Sequence, residues 1–252
     1  MVVQAEEGRL ITSCACILVA TAVPAERDAV ARAFPEPARE VRLPGAPALH
    51  RTGTGTAYDL LAAGVGPALA AATTATALTA AALAGTPYGL VVSAGIAGGF
   101  APGAPLGSLV VADAITAADL GAETAEGFLP VTELGFGTVT HRPPADLVRS
   151  AATAAGARTG TVLTVSTVTG TAARAAALRA RHPGALAEAM EGFGVAEAAV
   201  AHGVPVLEVR AVSNPVGPRD RAAWRVGEAL AALTTAFGKL APVLESWNRH
   251  DR

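Results

Sequence analysis

Short apolar runs alternate along this chain with longer, alanine-rich amphipathic stretches. Runs of the first kind suit buried strands, and stretches of the second kind suit helices that cover them. Residues 14–20 (CACILVA) predict a first strand. Pro24 then opens a helix with Glu26, Arg27 and Asp28 in its first two turns, an entry signal of proline followed by acids. Further strands are predicted at 59–64, 89–93, 108–115, 161–168 and 204–212. Helices are predicted at 67–83, 145–155, 172–181 and 187–202, with a long closing helix over 221–247 interrupted at Gly238. The stretch 116–142 is irregular and glycine-rich, and loops of that length in a compact domain usually carry function. Strands alternating with helices predict a mostly parallel sheet covered on both faces. One domain over 1–252 is expected, with a flexible start at 1–13.

Composition narrows the class. Hydrophobic residues make up 51% and charged residues 16% of the 252, which excludes a disordered chain. The net charge of −2 and the lack of a basic block argue against nucleic acid as a partner. The mean hydropathy is +0.41, but much of it is alanine. No run of 18 or more residues is both strongly apolar and uncharged, so no membrane partner is expected. Glu6, Glu7 and Arg9 precede the first apolar run without an export-signal layout. Cys14 and Cys16 stand two apart on one strand face, a poor disulfide geometry, which fits a reduced, cytoplasmic compartment. Two cysteines and five scattered histidines give no metal-ligand spacing, and no cofactor is expected.

Two glycine clusters and one acid are candidates for chemistry. Gly64-Val65-Gly66-Pro67 lies between a strand and a helix. A dinucleotide fingerprint fails there, because Leu69 holds the third small position and no acid follows about 20 residues on. A tight strand-to-helix turn is the better reading. Gly95 to Gly99 is a glycine-rich turn after the third strand listed above, where a ligand could approach the backbone closely. Glu191 sits among small and apolar residues in the helix predicted at 187–202. If buried, it must be paired, hydrogen-bonded or protonated. Alternatively it shares a solvated face with Glu188, three residues earlier.

In order and spacing, Ala63-Gly64-Val65-Gly66, the stretch from Ser93 to Gly99, Ala189-Met190-Glu191-Gly192 and Val209-Arg210-Ala211-Val212-Ser213-Asn214 resemble the purine-nucleoside phosphorylase and methylthioadenosine nucleosidase family. The resemblance runs from about Cys16 into the final helix. Within that family, residues 212–224 and 119–123 are similar to the futalosine hydrolases of menaquinone synthesis. The resemblance implies a three-layer α/β/α fold around a mixed, partly barrel-like sheet, cleavage of a purine–ribose bond, and a homo-oligomer acting on a small nucleoside. Residue by residue, it implies that Glu26 activates the attacking water. It likewise places Met190 against the ribose face, Glu191 on the ribose hydroxyls, and Ala97 and Gly98 in the wall. Val168 and Thr169 fall near the position whose backbone meets the base. Asn214 stands where adenine-specific nucleosidases carry an aspartate. Arginines that hold phosphate in the phosphorylases are replaced by Pro24, Ala25 and Ser93, which favours water over phosphate as the attacking group.

These residue types suit the chemistry. N-riboside hydrolysis passes through an oxocarbenium-like sugar, so it needs a base for water, a held ribose and help for the leaving base. Glu26 can serve as the base. It can equally be an acid that stabilises its helix N-terminus, worth about 0.3–1 kcal/mol. Glu191 gains from positive charge developing on the ribose. A 6-oxopurine presents two acceptors, N7 and O6, to which the Asn214 amide can donate and an aspartate cannot. Asn214-Pro215 also reads as a turn starter. Arg219 and Arg221, or His141 and Arg142, are candidates for the carboxylate of a benzoate-bearing tail. Arg219 and Arg221 are as well explained as solvated charges, and Arg210 as a structural partner of Glu208. The alternatives are another nucleosidase or phosphorylase of the family, acting on inosine or methylthioadenosine, and a non-catalytic nucleoside binder. Glu26 together with Glu191 favours an enzyme.

Overall fold

The structure, a computed structural model, describes residues 16–250, with side chains through Asn248. The expected flexible start and Cys14 lie outside the described residues. The chain begins with β1 (Cys16–Thr21), α1 (Pro24–Ala31), β2 (Arg39–Val41), β3 (Leu49–Thr52), β4 (Tyr58–Ala62) and α2 (Pro67–Leu83). It continues through β5 (Tyr88–Gly99), β6 (Leu109–Ala117), β7 (Gly121–Thr124), β8 (Gly127–Pro130), β9 (Thr140–His141) and α3 (Ala145–Ala155). Then follow β10 (Arg158–Thr164), α4 (Ala172–Arg181), β11 (Ala185–Ala189), α5 (Gly192–Ala201), β12 (Val206–Pro215) and α6 (Val226–His250).

β5 organises the sheet. Its first part runs parallel to β1 and to β12, and its last residues pair antiparallel with β11. Because β11 also pairs with β10, β10 with β6, and β6 with β12, these five strands close into a ring. The wing β1-β4-β3-β2 extends from β5 beyond the ring. This is the mixed, partly barrel-like α/β fold expected from the sequence. One apolar cluster lies between the sheet and α2 and α5, and a second lies under α1, α3 and α6. Strands β1, β4, β5 and β12 supply fully buried runs because helices cover both faces. No helix among the described residues is long and apolar enough to cross a membrane.

Four expectations are corrected. The helix expected at 187–202 is a strand, β11, followed by a junction at 190–191 and then the shorter α5. Its alanine content matches helix propensity, but pairing with both β10 and β5 overrides that preference. The glycines 95–99 form no turn; they are the last residues of the twelve-residue β5. Their missing side chains make room for neighbours, since a Cβ at Gly99 would collide with the backbone of Ala104. The stretch 116–142 holds the β7–β8 hairpin and β9. The closing helix begins at Val226, after a single 3-10 turn at Arg221–Ala223, and runs through Gly238 without a break. The short strands β2 and β3 were not anticipated.

Candidate active site

The carboxyl ends of β1, β5, β11 and β12, with the loop after β10, converge on one cavity of about 340 Å³. This is the end of an α/β sheet at which ligands are generally held. Its wall contains Glu26, Ala97, Gly98, Val168, Thr169, Met190, Glu191, Asn214 and Arg219. Arg221 is not part of that wall, although both Arg219 and Arg221 lie over the ring of Trp224, which is. His141 lies elsewhere, 2.6 Å from Glu197 and against Phe193.

Glu26 stands in the first turn of α1, turned inward and 4% exposed. One carboxylate oxygen accepts the N–H groups of Ala22 at 2.9 Å and Val23 at 3.3 Å, and the other accepts Ile96 N–H at 2.8 Å. The bond to Val23 is the return half of a capping box. Glu26 therefore stabilises its helix terminus, as one sequence reading had it, and the same side chain faces the cavity. A carboxylate offers about four acceptor positions, and three are occupied by the backbone. Burial is the main influence on its acidity and raises its pKa, against the pull of Arg210 and the Ile96 N–H; Glu191 adds to the rise.

Glu191 occupies the N-cap position of α5 and is buried. Its carboxylate accepts the N–H groups of Gly66 and Met190, both at 3.3 Å, and lies 3.6 Å from Arg210 Nη1. The Gly64–Gly66 turn thus has a second use. Both glycines adopt positive φ, 97° and 90°, which only glycine takes readily, and the turn delivers Gly66 N–H to the acid.

Arg210, 1% exposed, lies beneath these acids. Its Nε donates to Glu208 at 2.8 Å and its Nη2 donates to the Ser93 hydroxyl at 3.1 Å. The pairing with Glu208 expected from the strand face is present, and the guanidinium also reaches Glu191. Burial opposes its charge, but Glu208, Glu191 and Glu26 together hold its pKa above the ordinary value. Gly95 permits the arrangement. A Cβ there would come within 2.6 Å of both Arg210 Nη1 and Glu26 Oε1. Glu208 is fully buried with its second oxygen unpartnered among the described residues, and burial raises its pKa. Three buried carboxylates therefore surround one guanidinium.

Asn214 Oδ1 accepts the Ser213 hydroxyl at 2.9 Å, and its Nδ2 donates to Pro215 O at 3.1 Å. A Cβ at Gly98 would come 3.2 Å from that Nδ2. The amide nitrogen therefore lies over the bare glycine, with one N–H left to give. The wall also holds Glu188, 6% exposed, which the sequence suggested only as a solvated neighbour of Glu191. It accepts Thr169 N–H at 2.8 Å and the Thr169 hydroxyl at 2.5 Å. Its signal in the sequence was its place in an apolar run, hidden by reading that run as a helix. Among the described residues, no group of three or more His, Cys, Asp or Glu could hold a metal ion.

The profile of the Phosphorylase superfamily matches residues 16–246. The chain is similar to a futalosine hydrolase of Streptomyces coelicolor, 81% identical over 236 residues that cover 94% of this chain and 99% of the relative. It is also similar to a futalosine hydrolase of Acidothermus cellulolyticus, 47% identical and covering 88% of this chain and 89% of the relative. Among solved structures, a 5′-methylthioadenosine/S-adenosylhomocysteine nucleosidase of Neisseria meningitidis, in complex with methylthio-immucillin-A, superposes with a TM-score of 0.76 at 18% identity over 92% of this chain and 99% of that one. A futalosine hydrolase mutant of Helicobacter pylori gives a TM-score of 0.76 at 17% identity over 90% and 99%. At those identities the structures speak to the fold alone.

Proposed function

The chain belongs to the phosphorylase superfamily, and from that membership and the site we propose that it hydrolyses the N-ribosidic bond of futalosine. The observation that carries this reading is the convergence of Glu26, Glu191 and Asn214 on one cavity from three distant parts of the chain.

In this reading the ribose lies over Met190, with its hydroxyls on Glu191, and a water stands between Glu26 and the anomeric carbon. The acceptor position that the backbone leaves on Glu26 takes a proton from that water as it attacks. A pKa raised by burial makes Glu26 a stronger base than an ordinary carboxylate. As the C–N bond breaks, positive charge grows on the sugar beside Glu191, which lines the cavity, with Arg210 and the fully buried Glu208 behind it. A fixed negative field of this kind stabilises the transition state more than the ground state. The base departs with the electron pair of the C–N bond, and the free N–H of Asn214 hydrogen-bonds to its O6 or N7 and steadies that negative charge. The base takes a proton from solvent and Glu26 returns the water's proton to solvent, so hypoxanthine leaves and dehypoxanthine futalosine remains. In this reading Arg219, which lines the wall, meets the tail carboxylate.

The proposal extends to a role in menaquinone synthesis, in the cytoplasm, by a homo-oligomer. The exposed apolar side chains Leu120, Leu134 and Phe136 are the kind of surface a second copy would cover. The test is a substrate panel followed by the release of free base. Futalosine should be cleaved to hypoxanthine far faster than inosine, aminofutalosine or methylthioadenosine. A preference for methylthioadenosine would replace this reading with a plain nucleosidase.

A further inference from the structure

Glu188 is a buried carboxylate in the cavity wall that the proposed mechanism leaves unused. Its position follows from the sheet. β11 places Glu188 opposite Gly98 of β5, and β12 places Asn214 opposite the same Gly98 from the other side. Residues paired across neighbouring strands point their side chains to the same face. Gly98 between them has no side chain, so Glu188 and Asn214 flank a bare strip of β5. Their backbones stand two strand spacings apart, about 9–10 Å, a gap that a purine edge can occupy.

The two flanking groups differ in hydrogen-bonding sense. Asn214 has an N–H to give. Glu188 already accepts the backbone N–H and the hydroxyl of Thr169, one on each oxygen, and each oxygen keeps a further lone pair. Its only remaining role toward a ligand, when ionised, is as an acceptor. Thr169 N–H is correspondingly already engaged, although the family resemblance put that stretch of backbone against the base.

We infer that Glu188 reads the base, its carboxylate accepting the N1–H of a 6-oxopurine while Asn214 donates to O6 or N7. A 6-oxopurine carries a proton on N1 next to an acceptor at O6. A 6-aminopurine carries a lone pair on N1 next to a donor at N6, so it faces Glu188 with a lone pair and offers Asn214 an acceptor at N7 alone. The inference rests on the proposal that the substrate is a 6-oxopurine nucleoside, and it supplies a second, independent point of discrimination. The competing role for Glu188 is an anchor that only secures the Thr169 segment. An anchor would affect all bases alike.

The experiment measures binding of hypoxanthine, 1-methylhypoxanthine and 7-deazahypoxanthine to the wild-type protein and to Glu188→Ala. The wild type should favour hypoxanthine over the 1-methyl analogue by about 100-fold, the scale on which a buried polar group rejects a mismatched partner. In Glu188→Ala that ratio should collapse toward unity, while the preference over 7-deazahypoxanthine, set by Asn214, persists. Equal weakening of all three ligands would overturn the inference and leave Glu188 an anchor. Because Glu188→Ala frees Thr169 and can unsettle the loop, Glu188→Gln is measured alongside, since its amide oxygen can still accept Thr169 N–H. Its kcat/KM ratio for futalosine over aminofutalosine should fall at least about tenfold, and an unchanged ratio would again overturn the inference. If the wild-type protein fails to release hypoxanthine from futalosine at all, the functional proposal fails, an outcome distinct from either of these.

Discussion

Two buried charge clusters lie at opposite ends of the same sheet, and they are built on different principles. Near the amino-terminal ends of β4 and β5, Asp59 receives Arg51 through two bonds of 2.7 Å and the Tyr88 hydroxyl through a third of 2.7 Å. One acid meets one base, and the geometry is bidentate. The bond to Asp59 raises the Arg51 pKa, and burial beside Asp59 raises that of Tyr88. At the carboxyl end, Glu26, Glu191 and Glu208 share the single Arg210, one contact stretches to 3.6 Å, and an oxygen of Glu208 has no partner among the described residues. A cluster that exists to stabilise a fold closes its hydrogen bonds. The second cluster, which in the proposed reaction meets a transient cation, leaves an acceptor position open. Unpaired polarity of this sort is expected where function, rather than stability, sets the design.

The largest effect should follow from removing the base. Glu26→Gln should lower kcat by about 10²–10⁴-fold while hypoxanthine still binds and the protein still melts near the wild-type temperature. The amide oxygen can keep part of the backbone bonding, so a large loss of Tm with little loss of kcat would return Glu26 to a capping role.

The converse experiment is Asp59→Ala at the other end. It strands Arg51 and the Tyr88 hydroxyl and should cost on the order of 3 kcal/mol of stability, read by denaturant unfolding. The folded fraction should keep its kcat, because the sites are distant and share no partner. A selective loss of kcat would erase the distinction between the two ends.

Asn214→Asp adds a further acid to the end that already has too many. The kcat/KM ratio of futalosine to aminofutalosine should fall about 10–100-fold, with stability less affected than in Asp59→Ala. An unchanged ratio would mean that Asn214 does not read the base.

The smallest effect is in pH dependence. Burial raises the folded-state pKa of Glu26 and Glu208 above the ordinary value of 4.5. Between that value and the raised ones the folded chain holds more protons than the unfolded chain. The contribution of these two groups to stability therefore declines as pH rises through the window. Activity should move the opposite way, since Glu26 must lose its proton to act. Profiles of kcat/KM and Tm from about pH 5 to 8 should show activity rising with pH. In Glu208→Gln, the fall in Tm over that range should be smaller than in the wild type. Parallel rises of activity and stability in the wild type, with no change in the variant, would contradict the assignment.

Much of this was legible in the sequence, and the reasons for the remainder are physical. Glu26, Glu191 and Asn214 were legible through the ordered motifs that carry the family resemblance, whereas local pattern read Glu26 as a helix-terminus acid, put Glu191 inside a helix and made Asn214 a turn starter; the structure brings all three to one cavity. Glu188 was missed because alanine-rich residues 187–189 favour a helix locally, and only their pairing with β10 and β5 makes them a strand. Gly95 read as turn punctuation, whereas its use is to leave room for Glu26 and Arg210, a relation between three distant segments. The orphaned oxygen of Glu208 depends on the same packing, and no local pattern encodes it. Arg221 looked equivalent to Arg219, but only Arg219 reaches the wall.

If the end of the sheet that holds Glu26 activates water, single turnover of the wild-type protein on futalosine in ¹⁸O-labelled water, with and without added phosphate, should place label at the anomeric hydroxyl of the sugar product at a rate indifferent to phosphate. A sugar 1-phosphate product, or a rate that depends on phosphate, would contradict that role.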